Sequence, residues 1–457
     1  MESNCLGVFK MKTADVIVIG GSAAGLTAAI TSRRHYPEKS VLIIRKEKNV
    51  LIPCGIPYIF GTLGDCNKNL IPDATLDKNK IELLIDEVIG IDTGSKTVTT
   101  KSGEKAEYDR LIIATGSDPI SPPIPGADKK GVYMIIKDVP YLQNMLKALD
   151  KAKNVVIIGS GFIGVELAEE CKKNRDINIK ILARSNRCLR APYDEDFSAE
   201  AESCLKEEGV EILTHETAEE FLGGESVEKV KLTSGKVIPA DMVIFGIGCA
   251  ANTELAVMAG LNLGPTKGIA VNRYMQTSDP SVFSCGDCAE KVSFFDGQPS
   301  KLKLASIATT EARIAASNLF ETRRMNEGVI GVYSTMLNDV AFSGAGLTEH
   351  QAKKQGYEVV VGEAKSPNRH PGGMKGMAPL KVKLVFEKGT QVLLGGQASG
   401  AKSAGELINA ISACILHKMT ANDIAQFQTG THPGLTASPI SYQLVNAAEL
   451  AIIKSRK

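Results

Sequence analysis

The chain carries no surplus of either charge: 53 Lys and Arg face 52 Asp and Glu, a net +1 over 457 residues. Without a basic excess or a charged tail, a nucleic-acid partner is not expected. Long hydrophobic runs are missing too. The apolar stretch from Val16 to Gly20 is far too short to cross a bilayer, and no cleavage site follows it. The residues before that stretch read as a disordered start, and the whole as a soluble cytoplasmic protein with no membrane partner. Paired cysteines are scarce. Of the ten, Cys5, Cys54, Cys66, Cys171, Cys188, Cys204, Cys249 and Cys414 show no paired spacing, which implies a reducing compartment and mostly buried thiols. Only Cys285 and Cys288 lie close together, and no second pair completes a metal site, so no metal is expected. No low-complexity segment interrupts the chain, whose length suggests several domains with sizeable cores.

What is present is a repeat. Asp15-Val-Ile-Val-Ile-Gly-Gly-Ser-Ala-Ala-Gly25 reads as a strand, a Gly-rich turn and the start of a helix over Leu26–Arg34, with a second strand at Ser40–Ile44. Asn154-Val-Val-Ile-Ile-Gly-Ser-Gly-Phe-Ile-Gly164 repeats the plan, with a helix to about Lys173 and a strand at Ile177–Leu182. Both are βαβ units, so parallel sheets with right-handed crossovers follow. Leu111-Ile-Ile-Ala-Thr-Gly-Ser117, Ala240-Asp-Met-Val-Ile-Phe-Gly-Ile-Gly248 and Val282-Phe-Ser-Cys-Gly-Asp287 are further buried strands ending at Gly or an acid. Pro119 to Pro125 reads as a linker, and a helix is expected over Lys303–Phe320. Beyond Gly328 the pattern changes. Lys381-Val-Lys-Leu-Val-Phe386 alternates like a half-exposed strand, Glu387–Thr390 turns, Gln391–Gly395 returns, and Ala404–Lys418 is helical. An α+β domain with a one-sided antiparallel sheet is expected there, a natural dimer interface.

One Gly-x-Gly-x-x-Gly is a weak signal. Two, 139 residues apart from Gly20 to Gly159, each after a strand and opening a helix, form a strong one. The first Gly makes the turn, the second lets a pyrophosphate approach, and the third lets the helix pack closely, so that its N-terminus faces phosphate. The second copy has Gly159, Gly161 and Gly164. The first has Gly20, Ser22 and Gly25, with an extra Gly21. The next strand should end in an acid that reads an adenosine ribose, yet the first unit offers Arg45, with Glu47 two residues on. The second offers Ala183, then Arg184 and Arg187, which suit the 2′-phosphate of NADP or form a solvated basic loop.

These two units, the Ala114-Thr115-Gly116 turn, the Gly246-Ile-Gly248 turn and Cys285-Gly-Asp287, taken in this order, resemble the pyridine nucleotide-disulfide oxidoreductases over nearly the whole chain from Asp15. The resemblance implies an α/β protein with two Rossmann-like dinucleotide-binding domains, for FAD and NAD(P), and a C-terminal α+β dimerisation domain. Expected boundaries are 1–125 for the first part of the FAD domain, 126–245 for the NAD(P) domain, 246–327 for the FAD domain's second part and 328–457 for dimerisation. FAD contacts would come from Gly20, Gly21, Ser22, Gly25, Ala114, Thr115, Gly116, Gly248 and Asp287. The nicotinamide nucleotide would meet Gly159, Gly161, Gly164, Arg184 and Arg187, with NADPH the expected donor and NADH open. Glu166 would lie near the flavin where hydride arrives, or else be a helix-surface charge.

A dithiol member would carry a second cysteine five residues after Cys54, but Ile59 stands there. Asn49-Val-Leu-Ile-Pro-Cys-Gly-Ile-Pro-Tyr58 is similar to the single-cysteine branch: coenzyme A-disulfide reductases, NADH oxidases and peroxidases, and sulfur or persulfide reductases. A helix starting at Gly55 or Ile56 would favour a Cys54 thiolate. Cys66 is the one nearby thiol that could rival it. His432-Pro433 resembles the His-Pro of dithiol members, whose His serves the other subunit, although the Glu expected five residues on is Ala437. Arg369-His370-Pro-Gly-Gly373 resembles a substrate-contacting loop of the branch, or is a flexible surface loop. The expectation is therefore a homodimeric FAD enzyme reducing coenzyme A disulfide or a low-molecular-weight persulfide through Cys54. An oxidase or peroxidase, with an oxygen-derived acceptor and a cysteine sulfenic acid, is the alternative within the fold. A flavin-binding redox sensor or electron-transfer partner is the alternative of another functional class.

Overall fold

The computed structural model describes residues 11–456. Cys5 and most of the expected disordered start lie outside them, and from Lys12 the chain is already strand. β1 (Lys12–Ile19), α1 (Ala23–His35) and β2 (Val41–Arg45) form the first unit, and β3 (Lys105–Ile113) pairs with the opposite edge of β1. The sheet has seven strands, with β1 between β2 and β3. Its apolar runs lack alternation because both faces are buried. Val16, Val18 and Ile43 enter one core, while Ile17, Ile19, Leu42 and Ile44 enter the other.

β4 (Asn154–Ile158), α2 (Phe162–Lys172) and β5 (Asn178–Ala183) form the second unit, at the centre of a five-stranded parallel sheet. The chain then returns to the first sheet. β6 (Val282–Ser284) pairs parallel with β3, and α3 (Ala305–Ser317) packs along α1. Both glycine turns therefore sit at the carboxyl ends of parallel strands, where ligands are held.

β7 (Val332–Leu337) and β8 (Val340–Gly346) open a five-stranded antiparallel sheet that continues through Leu393–Gly400, Pro379–Glu387 and Val359–Pro367. Helices Ala404–Leu416 and Gln443–Ser455 cover it. The half-exposed strand expected at Lys381–Phe386 is instead largely buried on both faces. Lys383, only 7% exposed, pairs with Asp194 at 3.0 Å and Glu349 at 2.9 Å, and Lys381 covers the Phe197 ring. The polar half of the alternation faces the second unit, not solvent. Among the described residues no helix is long and apolar enough to cross a membrane.

Candidate active site

The first glycine turn is fixed by backbone approach. Gly20 takes φ +111°, and a Cβ there would run into the Ala114 carbonyl. One on Gly25 would strike the Gly20 carbonyl. Ser22 caps α1 with extended backbone and no side-chain cap bond, which leaves its hydroxyl free toward a ligand. Gly116 (φ +72°) turns the chain so that Thr115 Oγ1 donates to Asn252 O at 2.7 Å and Asn252 Nδ2 donates to Thr115 O at 3.2 Å. Gly248 (φ +105°) has open space where a Cβ would be. Asp287 follows β6 and accepts from Ser117 Oγ at 2.7 Å. A cavity of about 370 Å³ opens beside Gly20, lined by Arg45, Glu47, Thr115 and Asn252 among others.

Arg45, the unexpected base, lines this cavity but is only 4% exposed. Its guanidinium grips Asp73 through two bonds of 2.7 and 2.8 Å, and donates to the Glu47 and Lys48 carbonyls. Its stem packs against Gly21, where a Cβ would collide with it. With that charge neutralised, the free backbone of the turn and the adjoining cavity fit FAD.

The second turn repeats the first. Gly159 has φ +110°, and a Cβ on Gly164 would strike the Gly159 carbonyl. Gly161, at φ −81°, has nothing within 4 Å of a would-be Cβ, so its face is open to a ligand. Past β5 a loop folds back onto this turn, with Leu189 N–H donating to Ser160 O at 2.8 Å. Arg184 is exposed and has no ion pair among the described residues. Arg187 is tied to Glu202 at 2.9 Å and lies 3.7 Å from Glu195. Arg190, which sequence reasoning passed over, stands half-buried next to Leu189 and also has no ion pair among the described residues.

Cys54 is exposed. It sits in a 3₁₀ turn, Pro53–Gly55, followed by a second at Pro57–Phe60, and not at the α-helix expected from Gly55 or Ile56. Pro53 and Pro57 each open one short turn and deny a continuous helix its donors. No helix dipole is therefore aimed at the thiol. The turn is rigid all the same. Gly55 lies against the buried Asn69 side chain, which donates to Ile52 O at 3.0 Å, and Ile56, Ile59 and Phe60 are fully buried among residues of the second unit. Cys66 is buried too, which pushes its thiol up and removes it as a rival.

α2 brings a row of carboxylates to this turn. Glu166 is no surface charge: it accepts from Thr335 Oγ1 of β7 at 2.9 Å. Burial, with Glu169 and Glu170 adding to it and Thr335 opposing, pushes its carboxyl up to about 7. Glu170 receives Thr62 N–H at 2.7 Å and Lys173 at 2.6 Å, while Glu169 receives Asn338 N–H at 3.3 Å. One helix thus joins the cysteine segment to the C-terminal sheet. Tyr58 lies in the same region, its hydroxyl pushed up to about 12 by burial and by the field of Glu166. Tyr58 was legible only as a neighbour of Cys54, and Thr335, 169 residues from Glu166, carried no sequence signal.

No hydrogen bond among the described residues joins His432 to Cys54 within the chain. His432 is exposed, and its Nδ1 accepts from Gly434 N–H at 3.1 Å. That bond leaves Nε2 as the nitrogen bearing hydrogen in the neutral ring. A peptide N–H thus orients the ring where a Glu was missing, and Ala437 is buried. The Arg369–Gly373 loop packs on the same segment: His370 N–H donates to Pro433 O at 3.3 Å, and its Nδ1 lies 3.2 Å from Thr436 O.

This architecture has relatives. An NAD(P)H sulfur oxidoreductase (CoA-dependent) of Pyrococcus furiosus is 34% identical over 424 residues, covering 91% of this chain and 94% of that one. The structure of an NAD-dependent persulfide reductase from A. fulgidus superposes with a TM-score of 0.88 at 30% identity, over 96% of this chain and 83% of that one. An engineered water-forming NADPH oxidase, a mutant of the Lactobacillus brevis NADH oxidase, bound to NADPH, gives 0.87 at 27% identity, over 96% and 99%. It carries replacements by Ala, Arg and Ser at three successive positions, and by Arg five positions further on. Residues 14–312 match the family described as pyridine nucleotide-disulphide oxidoreductase, and residues 332–439 match its dimerisation domain. The chain belongs to the pyridine nucleotide-disulphide oxidoreductases, enzymes that use FAD and NAD(P)H.

Proposed function

We propose that this enzyme is a homodimer that spends NADPH to reduce coenzyme A disulfide, or a persulfide of similar size, at Cys54. The observation that carries the reading is the standing of that thiol. Among the described cysteines it is the one exposed, on a turn pinned by buried neighbours, while the others are buried or half-buried. A lone accessible thiol must take its second sulfur from outside. Its thiolate attacks the disulfide, one sulfur bonds to Cys54, and the other departs as a thiolate. Two electrons and a proton then reopen the mixed disulfide, so that NADPH, a proton and one disulfide give NADP⁺ and two thiols. Bound FAD supplies the relay of that electron pair from nicotinamide to sulfur. His432 of the second copy, bearing hydrogen on Nε2, offers a hydrogen bond that stabilises the departing thiolate. Names borne by relatives, CoA-dependent sulfur oxidoreductase and persulfide reductase, support the substrate class.

The donor is read as NADPH from one loop. Ala183, Arg184 and Ser185 reproduce in order the Ala, Arg and Ser installed in the engineered NADPH oxidase, and Arg190 stands five positions beyond Ser185, as its further Arg does. Small Ala183 clears room at the ribose, and Arg184 and Arg190 offer unpaired guanidinium groups to a 2′-phosphate. Arg187 braces the loop through Glu202.

Replacing Cys54 by Ser tests the reading. Disulfide-dependent NADPH consumption should fall about 1000-fold or more, while NADPH-driven dye reduction persists. Full disulfide reduction by the variant overturns it. Mass spectrometry of the protein as purified should find a coenzyme A adduct on Cys54. A sulfenic acid, with oxygen-dependent NADPH loss, would instead make the enzyme an oxidase.

A further inference from the structure

Beneath Asp287 lies a buried ion pair that the proposed chemistry does not use. Lys291 Nζ and Glu311 Oε2 are 3.1 Å apart, with both side chains 2% exposed. The same Oε2 accepts from Gly286 N–H at 2.9 Å. The same Nζ donates to Gly286 O at 2.6 Å and to Ala289 O at 3.1 Å. Both peptide groups flanking Gly286 are therefore gripped by one pair. Gly286 holds φ +81° and is wedged between helices: a Cβ there would lie 2.8 Å from Ala24 Cβ of α1 and 3.7 Å from Ala308 Cβ of α3. Asp287 leaves this clamp with its carboxylate bonded to Ser117, just past the Ala114–Gly116 turn that abuts Gly20.

The arrangement is expensive as a source of stability. Two charges leave water, Glu311 Oε1 is buried without a partner, and burial lifts the Glu311 carboxyl to about 7 against the pull of Lys291. Apolar residues of like volume would fill the space as well or better. What they could not do is hold a donor and an acceptor on either side of a left-handed glycine.

We propose that Lys291 and Glu311 are positioning residues for the flavin cofactor: by clamping Gly286 they aim Asp287 and set the first turns of α1 and α3 around the dinucleotide. The proposal rests on the reading of Asp287 as an FAD contact. It separates cofactor affinity from stability, which a merely structural pair would not do.

The test uses full-length apoprotein, titrated with FAD by the quenching of flavin fluorescence and melted in parallel without FAD. In Lys291→Met/Glu311→Leu the apoprotein should melt within a few degrees of wild type, while FAD binds about tenfold more weakly or worse. Wild-type FAD affinity in that variant overturns the proposal. Should the double variant not fold, Glu311→Gln, close in shape, should show the same loss, and unchanged affinity there is equally fatal. Asp287→Asn, with the clamp intact, isolates the underlying reading. If it binds FAD as wild type does, the reading of Asp287 fails. If it weakens FAD while the clamp variants do not, only the clamp fails.

Discussion

The two glycine turns are one device used for two purposes. Gly20 N–H donates to Ile44 O at 2.8 Å and Gly159 N–H donates to Leu182 O at 3.1 Å, which aligns Arg45 with Ala183 and Lys46 with Arg184. At the position expected to read a ribose, the first unit has a large base and the second a methyl group. Arg45 is buried, saturated by Asp73 and two carbonyls, and acts as a brace. Ala183 clears the same place, and the charge is presented one residue later on exposed Arg184. An arginine beside a dinucleotide turn is thus structural or ligand-directed according to whether a carboxylate already holds it. At the second turn, nothing lies within 4 Å of a would-be Cβ on Gly161.

Substituting equivalent glycines gives the sharpest contrast. Gly20→Ala must accept φ +111° and a clash with the Ala114 carbonyl, at a cost of roughly 3 kcal/mol or more, and should yield protein that melts far lower and retains no FAD. Gly161→Ala meets nothing and keeps an ordinary φ, so its melting should stay within about 0.5 kcal/mol of wild type, while the KM for NADPH rises about tenfold. Equal losses of stability in the two would end the comparison.

The arginines come next. Arg184→Ala combined with Arg190→Ala should raise the KM for NADPH roughly 10- to 100-fold and leave that for NADH nearly unchanged. Arg187→Ala should cost about 1–2 kcal/mol of stability, because Glu202, 3% exposed, loses its closest cation, with little effect on nucleotide preference. Arg45→Ala should lower stability and FAD retention by a comparable amount and leave both nicotinamide KM values alone. Discrimination lost in Arg187→Ala would reverse the roles assigned within the loop.

How much of this was legible in the chain follows from how local each signal is. The βαβ units were readable because strands buried on both faces are continuous apolar runs, and Gly25 and Gly164 are dictated by backbone approach to a glycine five residues back, although Gly20 and Gly159 answer to distant carbonyls of Ala114 and Gly246. The strand at Lys381–Phe386 misled because lysines look exposed until Asp194 and Glu349 are brought to Lys383 by the fold. The ion pair of Arg187 was hidden for the same reason: its partner Glu202 lies on a helix 15 residues on, invisible to a motif read along one loop. Cys54 stood out by its isolation, but the turn that holds it did not, since two prolines and a buried Asn69 decide it. Glu166 was placed by its distance from Gly164. Its elevated affinity for a proton comes first from burial by the fold, which the helix alone does not show, with Glu169 and Glu170 of the same helix adding to it and Thr335 of β7 opposing.

Glu166 also gives the gentlest test, because it lies where the second unit meets the cysteine turn. Its carboxyl is lifted to about 7, first by burial. In the unfolded chain it would ionise at its ordinary, lower value. The folded state therefore holds this proton over a range of pH in which the unfolded state has lost it. The contribution to stability is complete below the unfolded value and is lost as pH rises toward about 7. Glu166→Gln cannot ionise and should lack that slope. Its melting temperature, set against wild type, should improve steadily from about pH 5 to about pH 8. The rate of flavin reduction by NADPH should change by several-fold across the same interval in wild type and much less in the variant. A difference in melting that stays flat with pH would mean that Thr335 holds an ordinary, ionised carboxylate, and that the joint between the second unit and the C-terminal sheet is not proton-sensitive.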